Sequence, residues 1–271
     1  MPEAHPVTRE GILHALVVAL QPLPFVDAMW EGGAAAYDRL DAWSDIDLYI
    51  VAADDRIADT FRAVEDALTA LSPIRRKYEP AWPPDSGIAQ AFYRLERTSE
   101  YLLVDLAVLK RSAPDKFLEP VIHGRALFAF NKGDAVSVPS LDADALVKKL
   151  LERRDRLSAR IALFGPFVSK ELARRNGLGA LEAYQRVVLD SLIQVLQMRY
   201  APAHHGFNVR YARYEFPPGV VARLEDLSYV RSPDELPEKA RAAVEWFREA
   251  AAGVTEAAIR SRVRSAESRP A

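Results

Sequence analysis

With 271 residues, 49% hydrophobic and 27% charged, the chain has the composition of an ordinary globular protein, which excludes disordered and fibrous classes and leaves room for a compact domain plus a smaller second one. A formal charge of −2 at pH 7 withholds the positive field that recruits phosphate backbones, so extended nucleic-acid binding is disfavoured. The absence of cysteine excludes disulfides, thiolate zinc sites and cysteine nucleophiles, so any metal must sit on oxygen or imidazole.

In Met1 to Glu10 the acidic Glu3 and Glu10 stand where an export signal would be basic and then apolar. No apolar run reaches the ~20 residues of a bilayer span, and the expected location is cytoplasmic, with no membrane partner. From Arg9 to Leu20 the apolar Ile12, Leu13, Leu16 and Ala19 recur at helical spacing, and Pro22 and Pro24 stop the helix. Val26, Ala28 and Trp30 alternate with Asp27, Met29 and Glu31 as in a strand, which Gly32-Gly33 breaks. After an alanine-rich segment, Asp45 to Val51 reads as a second strand, and Ile57, Phe61, Val64, Leu68 and Leu71 mark an amphipathic helix closed by Pro73. Trp82 to Gly87 is a proline-rich loop, followed by strand-like runs at Ala89–Leu95 and Tyr101–Leu109.

Beyond the turn-like Asn131-Lys132-Gly133-Asp134, nearly everything has helical periodicity, with apolar stripes at Leu146, Leu150, Leu157, Ile161 and Phe164 and at Leu181, Tyr184, Val188, Leu192, Val195 and Leu196. The polar tail from Arg260 to Ala271 is expected to fray. The reading is an α+β fold: a domain over residues 1–138 with a mixed β-sheet flanked by helices, then a C-terminal helical bundle over 139–271.

Side chains at i and i+2 of a strand share a face, so Asp45 and Asp47 converge while Ile46, Leu48 and Ile50 pack on the other side. Such close like charges are best reconciled by hard cations such as Mg²⁺. Asp105, a single acid in the apolar run Tyr101–Leu109, reads as a third member of the cluster. Gly32 and Gly33, lacking Cβ, let backbone amides approach phosphate oxygens closely.

The segment Trp30-Glu31-Gly32-Gly33-Ala34-Ala35-Ala36-Tyr37-Asp38-Arg39-Leu40-Asp41-Ala42-Trp43-Ser44-Asp45-Ile46-Asp47-Leu48 resembles the signature of the polymerase-β-like nucleotidyltransferases, a Gly-Gly or Gly-Ser turn, a short helix and Ser-Asp-x-Asp opening a strand. The likeness covers residues 25 to 110, and the helical second half has the general layout of the aminoglycoside and lincosamide nucleotidyltransferases. Two departures stand out: Ala34 follows the glycines where many relatives carry Ser, and Asp38 replaces a small residue.

The resemblance implies Asp45, Asp47 and Asp105 as catalytic and metal-binding residues holding two Mg²⁺ ions, with Gly32, Gly33, Ser44 and Arg210 contacting a nucleoside triphosphate. It implies transfer of a nucleoside monophosphate, AMP from ATP, to a hydroxyl of a small-molecule acceptor such as an aminoglycoside, in a cleft closed by the second domain. The alternatives are a protein- or RNA-modifying enzyme of toxin–antitoxin type and a non-catalytic nucleotide-binding module. A monomer or a homodimer is expected.

Other signals have blander readings. Lys149, Arg153, Arg156 and Arg160 form a stripe that faces water or an anionic ligand. Adjacent His204 and His205 read as a solvated loop and His123-Gly124 as a turn, while Glu182 and Asp190 read as exposed helix acids or an acceptor-side base.

Overall fold

The structure, a computed structural model, describes residues 6–267. The chain divides into two compact units, one ending at Leu141 and the other beginning at Asp142.

The first unit opens with α1 (Arg9–Leu20), started by Thr8, whose hydroxyl accepts from the Gly11 amide. Then come β1 (Val26–Glu31), the four-residue α2 (Gly33–Ala36), β2 (Ile46–Ala52), α3 (Ile57–Leu71), β3 (Ile74–Tyr78), β4 (Ile88–Leu95), β5 (Val104–Lys110), α4 (Pro120–His123) and β6 (Leu127–Asn131). The six strands form one sheet in the order β3-β4-β5-β2-β1-β6. Only β2 and β5 run parallel, so the sheet is mixed. Two strands escaped the periodicity reading. β3, Ile-Arg-Arg-Lys-Tyr, is an exposed edge strand whose charges mask its pattern. β6 sits at the other edge, exposed at Phe128 and Ala129.

One sheet face carries Met29, Leu48, Ile50, Leu106, Val108, Ala91 and Tyr93, and packs against Ile12, Leu16 and Leu20 of α1 and Val64 and Leu68 of α3. This is the main core of the unit. The other face has a smaller core of Ala28, Trp30, Val51, Leu109, Leu118 and Val136. Because a core lies on each face of the sheet, Met29 and Trp30, on opposite faces of β1, are both buried, in place of the one-sided alternation expected of that segment.

The second unit comprises α5 (Ala143–Phe164), α6 (Phe167–Ala173), α7 (Gly177–Ala183), α8 (Asp190–Tyr200), α9 (Ala212–Glu215), α10 (Pro218–Ser228), α11 (Leu236–Ala252) and α12 (Glu256–Glu267). A wider helical turn over Tyr184–Leu189 joins α7 to α8. Asp142 starts α5 by accepting from the Ala145 amide at 2.9 Å. Of the α5 stripe, Leu146, Leu150, Leu157 and Ile161 are buried, whereas Phe164 at the helix end is exposed against Phe167. The expected frayed tail is instead α12 as far as Glu267, held by buried Ile259 and Val263; the rest of that segment lies outside the described residues. Among the described residues no helix is long and apolar enough to cross a membrane.

Candidate active site

The parallel pairing of β2 with β5 places Asp47 and Asp105 directly opposite each other. Adjacent strands lie about 4.8 Å apart, and register partners share a face, so the two carboxylates stand side by side. This pairing depends on where each strand begins. Asp105 is the second residue of β5 and not mid-strand as expected: Leu102 closes a turn onto the Ser99 carbonyl at 3.1 Å, and the strand begins only at Val104. Gln90 on β4 donates to Asp105 Oδ1 at 2.5 Å.

Asp45 departs from expectation. β2 begins at Ile46, whose amide donates to the Leu103 carbonyl at 2.8 Å, so Asp45 precedes the strand. Its carbonyl accepts from Arg9 Nη1 at 2.8 Å. The same guanidinium pairs with Glu31, a buried acid at the end of β1. Burial pushes the Arg9 guanidinium below its ordinary range, opposed by attraction to Asp47, Glu10 and Asp45. Arg9 therefore brings a positive charge beside the acids.

Gly33 has φ of +56°, and a Cβ there would fall 1.8 Å from Asp47 Oδ2. The Asp47 carboxylate thus lies over bare backbone that only glycine leaves open. Gly32 donates its amide to the Asp47 carbonyl at 2.9 Å, and its own missing Cβ would fall 2.9 Å from the Tyr49 ring. Tyr49 stacks on Trp30 at 5.5 Å, which makes a rigid aromatic floor beneath the glycine turn. Gly124 closes against the Ala36 carbonyl, so α4 and its turn brace α2.

Ser44 uses its hydroxyl locally, accepting from the Asp41 amide at 2.9 Å and donating to Asp41 Oδ1 at 2.8 Å. Arg210 is exposed and belongs to the second unit. Also in that unit, His204 is not solvated: it lies 2.6 Å from Glu215 and stacks on Phe207. Within the basic stripe, Arg153 binds Gln194 and Arg160 binds Asp190, which makes Asp190 part of a side-chain network on α8.

As a metal site, the donor set is all hard oxygen, and the facing Asp47 and Asp105 suit an ion such as Mg²⁺. Among the described residues no three Asp, Glu, His or Cys side chains are gathered into a ready-made ligand group. Sequence reasoning missed Arg9, Glu31 and Gln90. Glu31 was visible only as an outward strand residue, and nothing in the sequence spacing links Arg9 to Asp45 or Gln90 to Asp105.

No family model matches the chain, and no curated protein matches it. Among solved structures it is similar to an aminoglycoside 6-adenyltransferase from Bacillus subtilis, at 12% identity over 97% of this chain and 99% of that one, with a TM-score of 0.38. At that level the likeness carries no weight for fold or chemistry.

Proposed function

We propose that the first unit transfers a nucleoside monophosphate from a Mg²⁺-bound triphosphate, ATP being favoured, to a hydroxyl of a small-molecule acceptor, releasing pyrophosphate. The observation that supports this most is the Asp47–Asp105 pair standing over the bare backbone of Gly33. When bound between these carboxylates, with Asp45 as a further ligand, Mg²⁺ would neutralise charge on the triphosphate.

The residues of the chain do the rest. The Gly32-Gly33 backbone gives phosphate oxygens close access to the first amides of α2, which have no acceptor within the helix. Gln90 donates to Asp105 Oδ1 and orients the carboxylate, which accepts the proton of the acceptor hydroxyl. The acceptor oxygen bonds to the α-phosphorus as the bond to the bridging oxygen breaks, and pyrophosphate leaves with that electron pair. Ser44 is assigned to a nucleotide contact on the resemblance alone.

Pyrophosphate release from Mg²⁺-ATP with a panel of hydroxylated acceptors tests this reading. Release should fall by about two orders of magnitude or more in Asp105→Asn, the scale expected of an acid–base group, with the melting temperature retained. Undiminished release in that variant would remove Asp105 from the chemistry. A second reading, a nucleotide-binding module without turnover, is favoured by Ala34, which lacks the hydroxyl many relatives present to the triphosphate; Mg²⁺-dependent binding with no release would select it.

A further inference from the structure

The row containing the two acids continues to the sheet edge. Asp47 faces Asp105, Asp105 faces Phe92 on β4, and Phe92 faces Tyr78 on β3. Register partners share a face, so these four side chains form one line. The Gln90 contact with Asp105 verifies the orientation, since Gln90 and Phe92 are two residues apart on β4. One row further along, Arg94 faces Arg76. The Tyr78 and Phe92 rings lie 6.1 Å apart and 31° from parallel, and Tyr78 is 65% exposed.

Charge is distributed unequally between the two faces of this edge. On the helix-covered face Lys77 pairs with Glu65 and Glu79, and Tyr93 donates to Glu65. On the acid face Arg76 donates to the Arg75 carbonyl, and neither Arg76 nor Arg94 has an ion-pair partner among the described residues. Protection against strand addition explains cations on an edge strand. It does not explain two aromatic rings in line with a carboxylate pair.

We propose that this strip receives the acceptor, and that the acceptor is nucleotidic: a base stacks on Tyr78 and Phe92, a phosphate meets Arg76 and Arg94, and a ribose hydroxyl is directed to Asp105. Aromatic rings flanked by cations recognise unpaired bases in this way. Tyr78 stands two strands from Asp105, about 10 Å by strand spacing, a distance one nucleotide unit bridges. The local charge of the strip also reconciles such an acceptor with a net charge of −2. The inference rests on the proposed nucleotidyl transfer and names its acceptor class; a free nucleotide and a single-stranded end share the chemistry.

The test is fluorescence anisotropy of a 5′-labelled ten-nucleotide oligoadenylate with the full-length chain, without Mg²⁺ or triphosphate, in competition with the unlabelled oligomer, with AMP and with inorganic polyphosphate. The wild type should bind. Tyr78→Ala and Tyr78→Leu should each weaken binding about tenfold, as expected for loss of one stacked base. Arg76→Gln and Arg94→Gln should each lower the salt dependence by about one unit of slope. Displacement by AMP identifies a free nucleotide as the source, and displacement only by oligomer identifies a strand end. Absence of binding, unaltered affinity in the Tyr78 variants, or equal displacement by polyphosphate would overturn the proposal. Measured alongside, Mg²⁺-ATP thermal stabilisation of the wild type separates the two readings. Oligomer binding without stabilisation would remove the transfer reading and retain the strip; stabilisation without oligomer binding would remove the strip alone.

Discussion

At Gly33 the φ of +56° and the 1.8 Å separation between a built Cβ and Asp47 Oδ2 make one methyl group a test of the site. Gly33→Ala should cost about 1–2 kcal/mol through the left-handed backbone and, by displacing the Asp47 carboxylate, should reduce turnover as much as Asp47→Asn does. Chemical denaturation and pyrophosphate release measure the two effects separately. Asp47→Asn should instead leave thermal stability at or above that of the wild type, because it relieves repulsion between adjacent carboxylates; a marked loss of stability would make the pair structural. Asp47 and Gly33 were legible in the sequence because both belong to one contiguous segment. Ala34 and Ser44 were legible only as letters of that segment, and the turn Ser44 forms with Asp41 was not.

Among the elements, the contact between α1 and the site depends on Arg9, which spans the Asp45 carbonyl and the buried Glu31. Their side chains are 16% and 10% exposed, so removing one strands the other. Arg9→Ala should destabilise by about 3 kcal/mol, the usual cost of orphaning a buried charge, as read from urea denaturation. The end of β2 should loosen with it, and nucleotide affinity should fall in the same variant. Helices α1 and α3 were readable from their apolar spacing, which the core satisfies at Ile12, Leu16, Val64 and Leu68. β3 was not, because every residue after Ile74 is exposed, on both faces of the strand, and so shows no apolar alternation. That Asp105 joins Asp47 was suspected from its place as a single acid in an apolar run, but the register follows from strand pairing between residues 58 positions apart (105 minus 47), which no local pattern encodes.

For the molecule as a whole, pH and ligand are the two global probes. Burial, aided by Lys149, Arg153 and His204 and opposed by the Pro202 carbonyl, holds the His205 imidazole below its ordinary pKa. Below about pH 6.5, the ordinary histidine value, the unfolded chain therefore takes up a proton that the folded chain refuses. The contribution of His205 to stability is complete above that pH and declines as pH falls toward its lowered folded value. Melting temperatures from pH 7.5 to 5 should show this decline, and His205→Asn should flatten it. Contacts of the second unit such as His204 with Glu215 and Arg153 with Gln194 join residues 11 and 41 positions apart, whereas the sequence reading put His204 in a solvated loop and Arg153 on a stripe facing water or an anionic ligand.

The central claim, a Mg²⁺-dependent triphosphate site on Asp47 and Asp105, is tested most directly by thermal unfolding with each of the four nucleoside triphosphates, with and without Mg²⁺, for the wild type and Asp47→Asn. A ligand that binds the native state must raise its stability, by about 2.7 kcal/mol at a hundredfold excess over Kd. The account predicts a rise in the wild type with at least one triphosphate, only when Mg²⁺ is present, and its loss in Asp47→Asn. No rise with any triphosphate, or an equal rise in the variant, would contradict it.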